Sequence, residues 1–204
     1  MASFSSTPTR SIPLQERSSR RIAGFLDVAA TIIAEVGYDA MTMTAVAERA
    51  RASIGALYRW FPDKAAIAQA LRSQYALELR AKWGPLIESS KNLSVPEFAE
   101  ALVDQMVAFC RERPAYLPLH AAPIQFVRDP AARRNLRDQF AELFHAYNSE
   151  ISTERALVVA NVSLQIVKGL INLYGETPED QRDAVTQEVK TALTLYLSCS
   201  LRNS

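Results

Sequence analysis

Apolar side chains recur along this chain at steps of three and four residues, the period of an α-helix, and no stretch alternates convincingly with the period of a strand. Ile22, Phe25, Leu26, Ala29, Ile33 and Val36 form one stripe, which predicts a helix over about 17–36 that Gly37 stops. Thr42 is placed to cap a short helix over about 43–50. Arg51 and Ala52 make a tight connection, and Ser53 caps a third helix over about 54–60, which Pro62 ends. Asp63 caps a fourth, expected to end near Trp83 because Gly84-Pro85 follows. Ser94 and Glu97 have capping-box spacing and open a helix to about Glu112. Pro114, Pro118 and Pro123 leave only short helical turns over 114–129. Asp129-Pro130 opens a helix to about Tyr147. The last two run from about Thr153 to Tyr174 and from Thr177 to about Ser200. The pattern predicts an all-α fold of about nine helices.

Met1 to about Glu16, rich in Ser, Thr and Pro, is expected to be a disordered tail, because it cannot bury enough apolar surface to offset its ordering entropy. It has no apolar run of the kind a signal peptide needs. No segment reads as long enough for a membrane span, so a cytoplasmic protein is expected. Cys110 and Cys199 both lie among apolar neighbours and read as buried, reduced thiols. The formal net charge of +1 says little, and residues 1–64 carry only two more basic than acidic groups.

No nucleophile elbow, phosphate loop, paired-histidine motif or dinucleotide fingerprint appears, which argues against an enzyme. His120 and His145 have no clustered acid or cysteine, so no metal or cofactor is expected. Residues Thr42–Trp60 instead form two short helices around a tight turn, which fits a helix-turn-helix. The small residues of Ser53-Ile54-Gly55-Ala56 would let that second helix bring its backbone close to base edges. Its first N–H groups and its dipole favour phosphate.

Several local runs agree with one family at once. Phe25-Leu26-Asp27-Val28-Ala29, Gly37-Tyr38-Asp39-Ala40-Met41-Thr42 and Val46-Ala47-Glu48-Arg49-Ala50 are similar to the segments "ILDAA", "GYxxTT" and "IAERA". The run from Ser53 to Lys64, SIGALYRWFPDK, is similar to "SxGTLYxYFxxK". Over roughly its first 75 residues the chain resembles the TetR family of transcription regulators. The resemblance implies that Thr42 and Thr44 contact phosphates and that Ser53, Ile54, Gly55 and Ala56 face bases. It implies that Tyr58 and Trp60 touch the sugar-phosphate backbone and that Lys64 reaches a phosphate. Leu57, Phe61, Ala47 and Val46 would pack the unit together. Arg51 stands where the family usually has a turn glycine, and its guanidinium could bind a phosphate. Ile54 stands where Lys or Arg is frequent and could pack on a thymine methyl. Arg17, Arg20 and Arg21 read either as a solvated face or as a contact to the DNA backbone or minor groove.

The remainder is expected to be a separate unit. Residues 17–64 would bind operator DNA, and 65–204 would bind a small-molecule effector and dimerise. On the last two helices, Val159, Val162, Ile166, Gly169 and Leu173, and Val185, Val189, Leu193 and Leu197, form apolar stripes. In the family such helices make a four-helix homodimer interface, while core packing within one chain is the alternative. Asn161, Gln165, Lys168 and Asn172 form a polar stripe that reads as solvent-facing, interfacial or pocket-lining. Candidate effector contacts are Phe109, Cys110, Tyr116, His120, Phe126, Phe140, Phe144, Tyr147 and Lys168. The resemblance implies a repressor released from a palindromic operator.

Overall fold

The computed structural model describes residues 14–123 and 130–202, and these are all-helical. Among the described residues nine α-helices run in order: α1 (Leu14–Ala40), α2 (Met43–Arg49), α3 (Ile54–Tyr58), α4 (Lys64–Ser89), α5 (Val95–Glu112), α6 (Tyr116–Ala121), α7 (Pro130–Tyr147), α8 (Thr153–Glu176) and α9 (Arg182–Ser200). Most of the expected tail, Phe126 and the Asp129 cap lie outside the described residues. One continuous core of buried side chains links all nine, the short α3 and α6 adding only Leu57 and Leu119 to it.

The caps are set by local chemistry. Thr42, Ser53 and Asp63 each accept a hydrogen bond from the backbone N–H three residues on, at 3.1, 3.3 and 2.8 Å. Ser94 and Glu97 close a reciprocal capping box. Gly37 breaks α1: its φ of 81° and ψ of 166° leave the helical region, which glycine enters at little cost. The turn before α3 holds Arg51 at φ 51°, so that position does require the left-handed conformation.

Three helix ends differ from the expectation. The first helix begins at Leu14, so Leu14–Glu16 belong to α1 and not to the expected tail. The third helix stops at Tyr58, two residues short. The fourth does not stop at Gly84-Pro85 but continues to Ser89. Its buried stripe of Ile67, Leu71, Tyr75, Leu79, Trp83 and Ile87 steps by four straight across the proline. Pro85 removes one backbone donor, but Gly84 has no Cβ to clash with the proline ring. Beyond it, Ser90 is fully buried, and the Tyr147 hydroxyl donates to its carbonyl at 2.7 Å. Burial and that bond outweigh the local break.

Length and composition qualify α8 as a membrane-span candidate, contrary to the expectation that no segment would reach that length. The cause is a core helix with apolar residues on two faces. One face, with Ala156, Val159, Ser163, Val167 and Leu170, is buried, and the helix packs against α7 and α9.

Cys110 is buried, but Cys199 is exposed, because it faces outward on α9 with Leu195. Burial pushes the Cys110 thiol up to about 12 and the Tyr147 phenol up to about 12. Each group is therefore protonated in the folded chain at a pH where the unfolded chain has lost the proton. Their stabilisation is complete below about pH 9 and is lost as pH rises towards 12. The unfolding free energy from denaturant titrations should fall between about pH 9 and 10.5, by roughly 2 kcal/mol from Cys110 alone at 1.36 kcal/mol per unit. Cys110→Ala should flatten that decline; an equally steep decline in the variant would exclude the thiol as its source.

Candidate DNA-binding site

Helices α1 to α3 form a compact head around Phe25, Ala29, Met41, Val46, Ala47, Leu57 and Phe61, all buried. The four residues expected to hold the unit together are among them. Arg49 at the end of α2 makes a two-pronged ion pair with Glu35 of α1, at 2.5 and 2.7 Å. That guanidinium holds the Glu35 carboxyl below its ordinary value. The pair joins the surfaces of α2 and α1, while the buried Val46 and Ala47 seat α2 on the head.

The opposite side of α3 faces outward. Ser53, Ile54 and Gly55 are exposed, and Ala56 is half-buried. Ile54 and Tyr58 on the five-residue α3 and Trp60 in the turn after it are 40%, 51% and 37% exposed, a large apolar surface for so short a segment. A soluble head gains nothing from such a cluster unless a partner covers it. Arg59, exposed between Tyr58 and Trp60, belongs to the same surface. It was not among the expected contacts, although its place in the run Tyr58-Arg59-Trp60 was legible.

Thr42 caps α2, and Thr44, the second residue of that helix, is exposed at the same end. Lys64 opens α4, and its ammonium donates to the carbonyls of Asp39 at 3.0 Å and Tyr38 at 3.5 Å. It also sits 4.7 Å over the Tyr38 ring. Lys64 therefore fastens the α1–α2 connection to α4.

The comparisons with known proteins agree with this geometry. Residues 25–71 match the family model "Bacterial regulatory proteins, tetR family". Residues 94–197, half of the chain, match the model "Tetracyclin repressor-like, C-terminal domain". The chain belongs to the TetR family. Family members are transcription regulators and generally not enzymes. The HTH-type transcriptional repressor KstR of Mycolicibacterium smegmatis is 45% identical over 49 residues, 24% of each chain. The match thus spans about a quarter of that relative's length. A TetR-family regulator from Streptomyces coelicolor has the same fold at 22% identity and a TM-score of 0.63, over 88% of this chain and 98% of that one. A TetR variant from Acinetobacter baumannii AYE, in complex with minocycline, superposes at 18% identity and a TM-score of 0.63, over 87% and 94%.

The expected effector contacts fall into two aromatic groups. Phe109 and Tyr116 meet Tyr75 of α4, with ring centroids 5.1 to 6.1 Å apart, and His120 stacks on Tyr116 at 6.2 Å. Phe140, Phe144 and Tyr147 meet Phe98 of α5, and Phe140 also meets Trp83 of α4. Tyr75, Trp83 and Phe98 were missed; α4's step of four could have revealed the first two. Cys110 is buried on α5. Lys168 stands apart from both aromatic groups. It is half-buried beside exposed Gln165 and Asn172, so the polar stripe lies on the outer side of α8.

The apolar stripes of α8 and α9 divide between the core and the surface. Val159, Leu193 and Leu197 are fully buried inside the chain. The large apolar residues left exposed are Val158, Val162 and Leu173 on α8 and Leu195 on α9. A residue step of four overshoots one helical turn by about 40°, so a by-four stripe drifts from the surface into the core.

Helix α6 sits between the two parts and touches α1, α4 and α8. Arg72 of α4 reaches across to it. Its guanidinium donates to the carbonyls of Leu119, His120 and Ala122 at the C-terminal end of α6. That cation meets the negative end of a helix dipole and satisfies carbonyls that have no partner within the helix.

Proposed function

We propose that this chain is a ligand-responsive transcription repressor that binds a palindromic operator as a homodimer. The outward cluster of Ile54, Tyr58 and Trp60 on a helix-turn-helix carries this reading. In it, Ser53, Ile54, Gly55 and Ala56 face the bases in the major groove. Thr42, Thr44, Arg51, Tyr58, Trp60 and Lys64 contact the backbone. Residues 17–64 act as the reading head and 65–204 as the effector and dimer unit, in the cytoplasm. Gel shift with fragments flanking the protein's own gene tests this directly, and no retarded fragment at low salt would count against it.

The effector enters where α4, α5 and α7 meet. Among the described residues, Trp83 Nε1, Gln105 Oε1 and Gln139 Oε1 are buried polar atoms without a hydrogen-bond partner. Unpaired polar atoms beside aromatic rings are what a pocket offers a ligand, and they are costly otherwise. The Gln105 amide donates to the Lys82 carbonyl at 3.1 Å, which fixes its oxygen as the atom left over. The Acinetobacter protein of the same fold is in complex with minocycline, which supports a small-molecule effector here without identifying it.

Arg72 and α6 transmit the change. An effector that repositions α4 moves α6 through the Arg72 contacts and moves the head through Lys64. In the DNA-bound dimer the two α3 helices stand about 34–36 Å apart, one turn of duplex. The effector must bind the mismatched state better, or it shifts nothing. Operator must then weaken effector binding by the same factor by which effector weakens operator binding. Calorimetric titrations with and without operator measure that factor; equal affinities would mean the compound is no inducer.

A further inference from the structure

Beside the start of α3 lies a cleft of about 420 Å³, lined by Arg21, Gly24, Phe25 and Val28 of α1 and by Arg49, Ala50, Arg51 and Ala52 of the turn. Two residues there break local rules in opposite senses. Gly24 sits inside a helix, where every other residue except proline serves better. Its missing side chain makes room for nothing within the chain, since an added Cβ would meet no atom within 4 Å. Arg51 has φ 51°, a conformation that glycine adopts at ease and an arginine does not. A glycine where a side chain would help and a side chain where a glycine would help both face the same space. Local rules broken without a compensating contact point to function.

The charges narrow what that function is. Arg49 is committed to Glu35, which leaves Arg21 and Arg51 as the exposed cations on the cleft's rim. The bare α1 backbone at Gly24 forms an open floor between them. We propose that this cleft holds a stretch of DNA sugar-phosphate backbone outside the groove read by α3. Arg21 and Arg51 pair with its phosphates, and Gly24 admits its close approach. The inference rests on the DNA-binding reading and extends it. The footprint runs from α3 back along the first half of α1, and Arg21 is a DNA contact rather than part of a solvated face. Arg51 stays despite its strain because a glycine there would lose a phosphate contact.

The test uses the full chain and a random-sequence duplex of about 30 base pairs, because phosphate pairing does not depend on sequence. Anisotropy titrations across a salt series give the slope of log K against log salt. Arg21→Gln and Arg51→Gly should each shallow the slope by about 0.9 and weaken binding roughly fivefold to tenfold at 0.1 M salt. Arg51→Gly should do so while raising the melting temperature, an effect no merely structural role for Arg51 would produce. Gly24→Leu should weaken binding with no change of charge. Arg155→Gln is the control: it removes one exposed cation at the start of α8 and should leave the slope unchanged. Wild-type slopes in both arginine variants would overturn the inference. No salt-dependent binding by the wild type would overturn the DNA-binding reading itself.

Discussion

Gly55→Leu should leave the protein folded and dimeric but reduce operator binding by about a thousandfold or more, down to its level on random duplex. Gly55 is the second residue of α3 and is exposed, and an added Cβ there would meet nothing within 4 Å. The free protein therefore loses no packing, and leucine is the better helix former. The cost arises only in the complex. An α-helix with side chains is about 10–12 Å across and the major groove about 12 Å wide, so α3 fits only if its base-facing side is small. A leucine between Ile54 and Ala56 would hold the backbone away from the base edges and take every specific contact with it. Phosphate contacts made by residues outside α3 would survive. Melting temperature, oligomeric state and operator anisotropy measured together check this. Operator affinity within about threefold of wild type would show that the helix does not enter the groove along Gly55.

What could be read from the sequence divides by the range of the interaction that decides each feature. Thr42, Ser53, Asp63 and the Ser94–Glu97 box were legible because a cap is decided within four residues. The strained turn at Arg51 was legible because its neighbours match a known pattern. Running α4 through Pro85 was not, because the decision lies in the burial of Ile87 and Ser90 and in a bond from Tyr147, 57 residues on. The link from Arg72 to α6 joins residues 47 and more apart, and nothing near Arg72 announces it. The aromatic residues of the effector unit were recognised, yet periodicity cannot say which rings cluster. The outward face of α8 was legible at Val162, Gly169 and Leu173, but that of α9 was misplaced for a geometric reason. Val185 and Val189 are half-buried and Leu193 and Leu197 fully buried, so the stripe spirals inward, while Leu195 and Cys199 stand outside.

That corrected face yields a sharper expectation for assembly. Leu195→Glu should give a folded monomer at micromolar concentration and lower operator affinity by about two to four orders of magnitude. Leu195 is 60% exposed on α9, so the substitution removes little packing within the chain. Val162 and Leu173 are 38% and 47% exposed on the neighbouring α8, and Gly169 between them leaves open space for a second helix to approach. In a two-fold dimer each substitution occurs twice, so two carboxylates would be buried in an apolar contact without partners. The DNA effect follows from geometry. Two heads joined at a fixed spacing engage a palindrome as one unit, because the second binds at the high effective concentration set by the first. A monomer keeps its contacts to one half-site and loses that advantage, so its affinity for a single half-site should stay near that of wild type. Val189→Glu would be a poor probe, because Val189 packs against the core and its loss would confuse misfolding with dissociation. Light scattering on Leu195→Glu, with circular dichroism to confirm helix content, separates the cases. A stable dimer would move the interface off α9, and a monomer that still bound the palindrome as tightly as wild type would remove dimerisation from operator recognition.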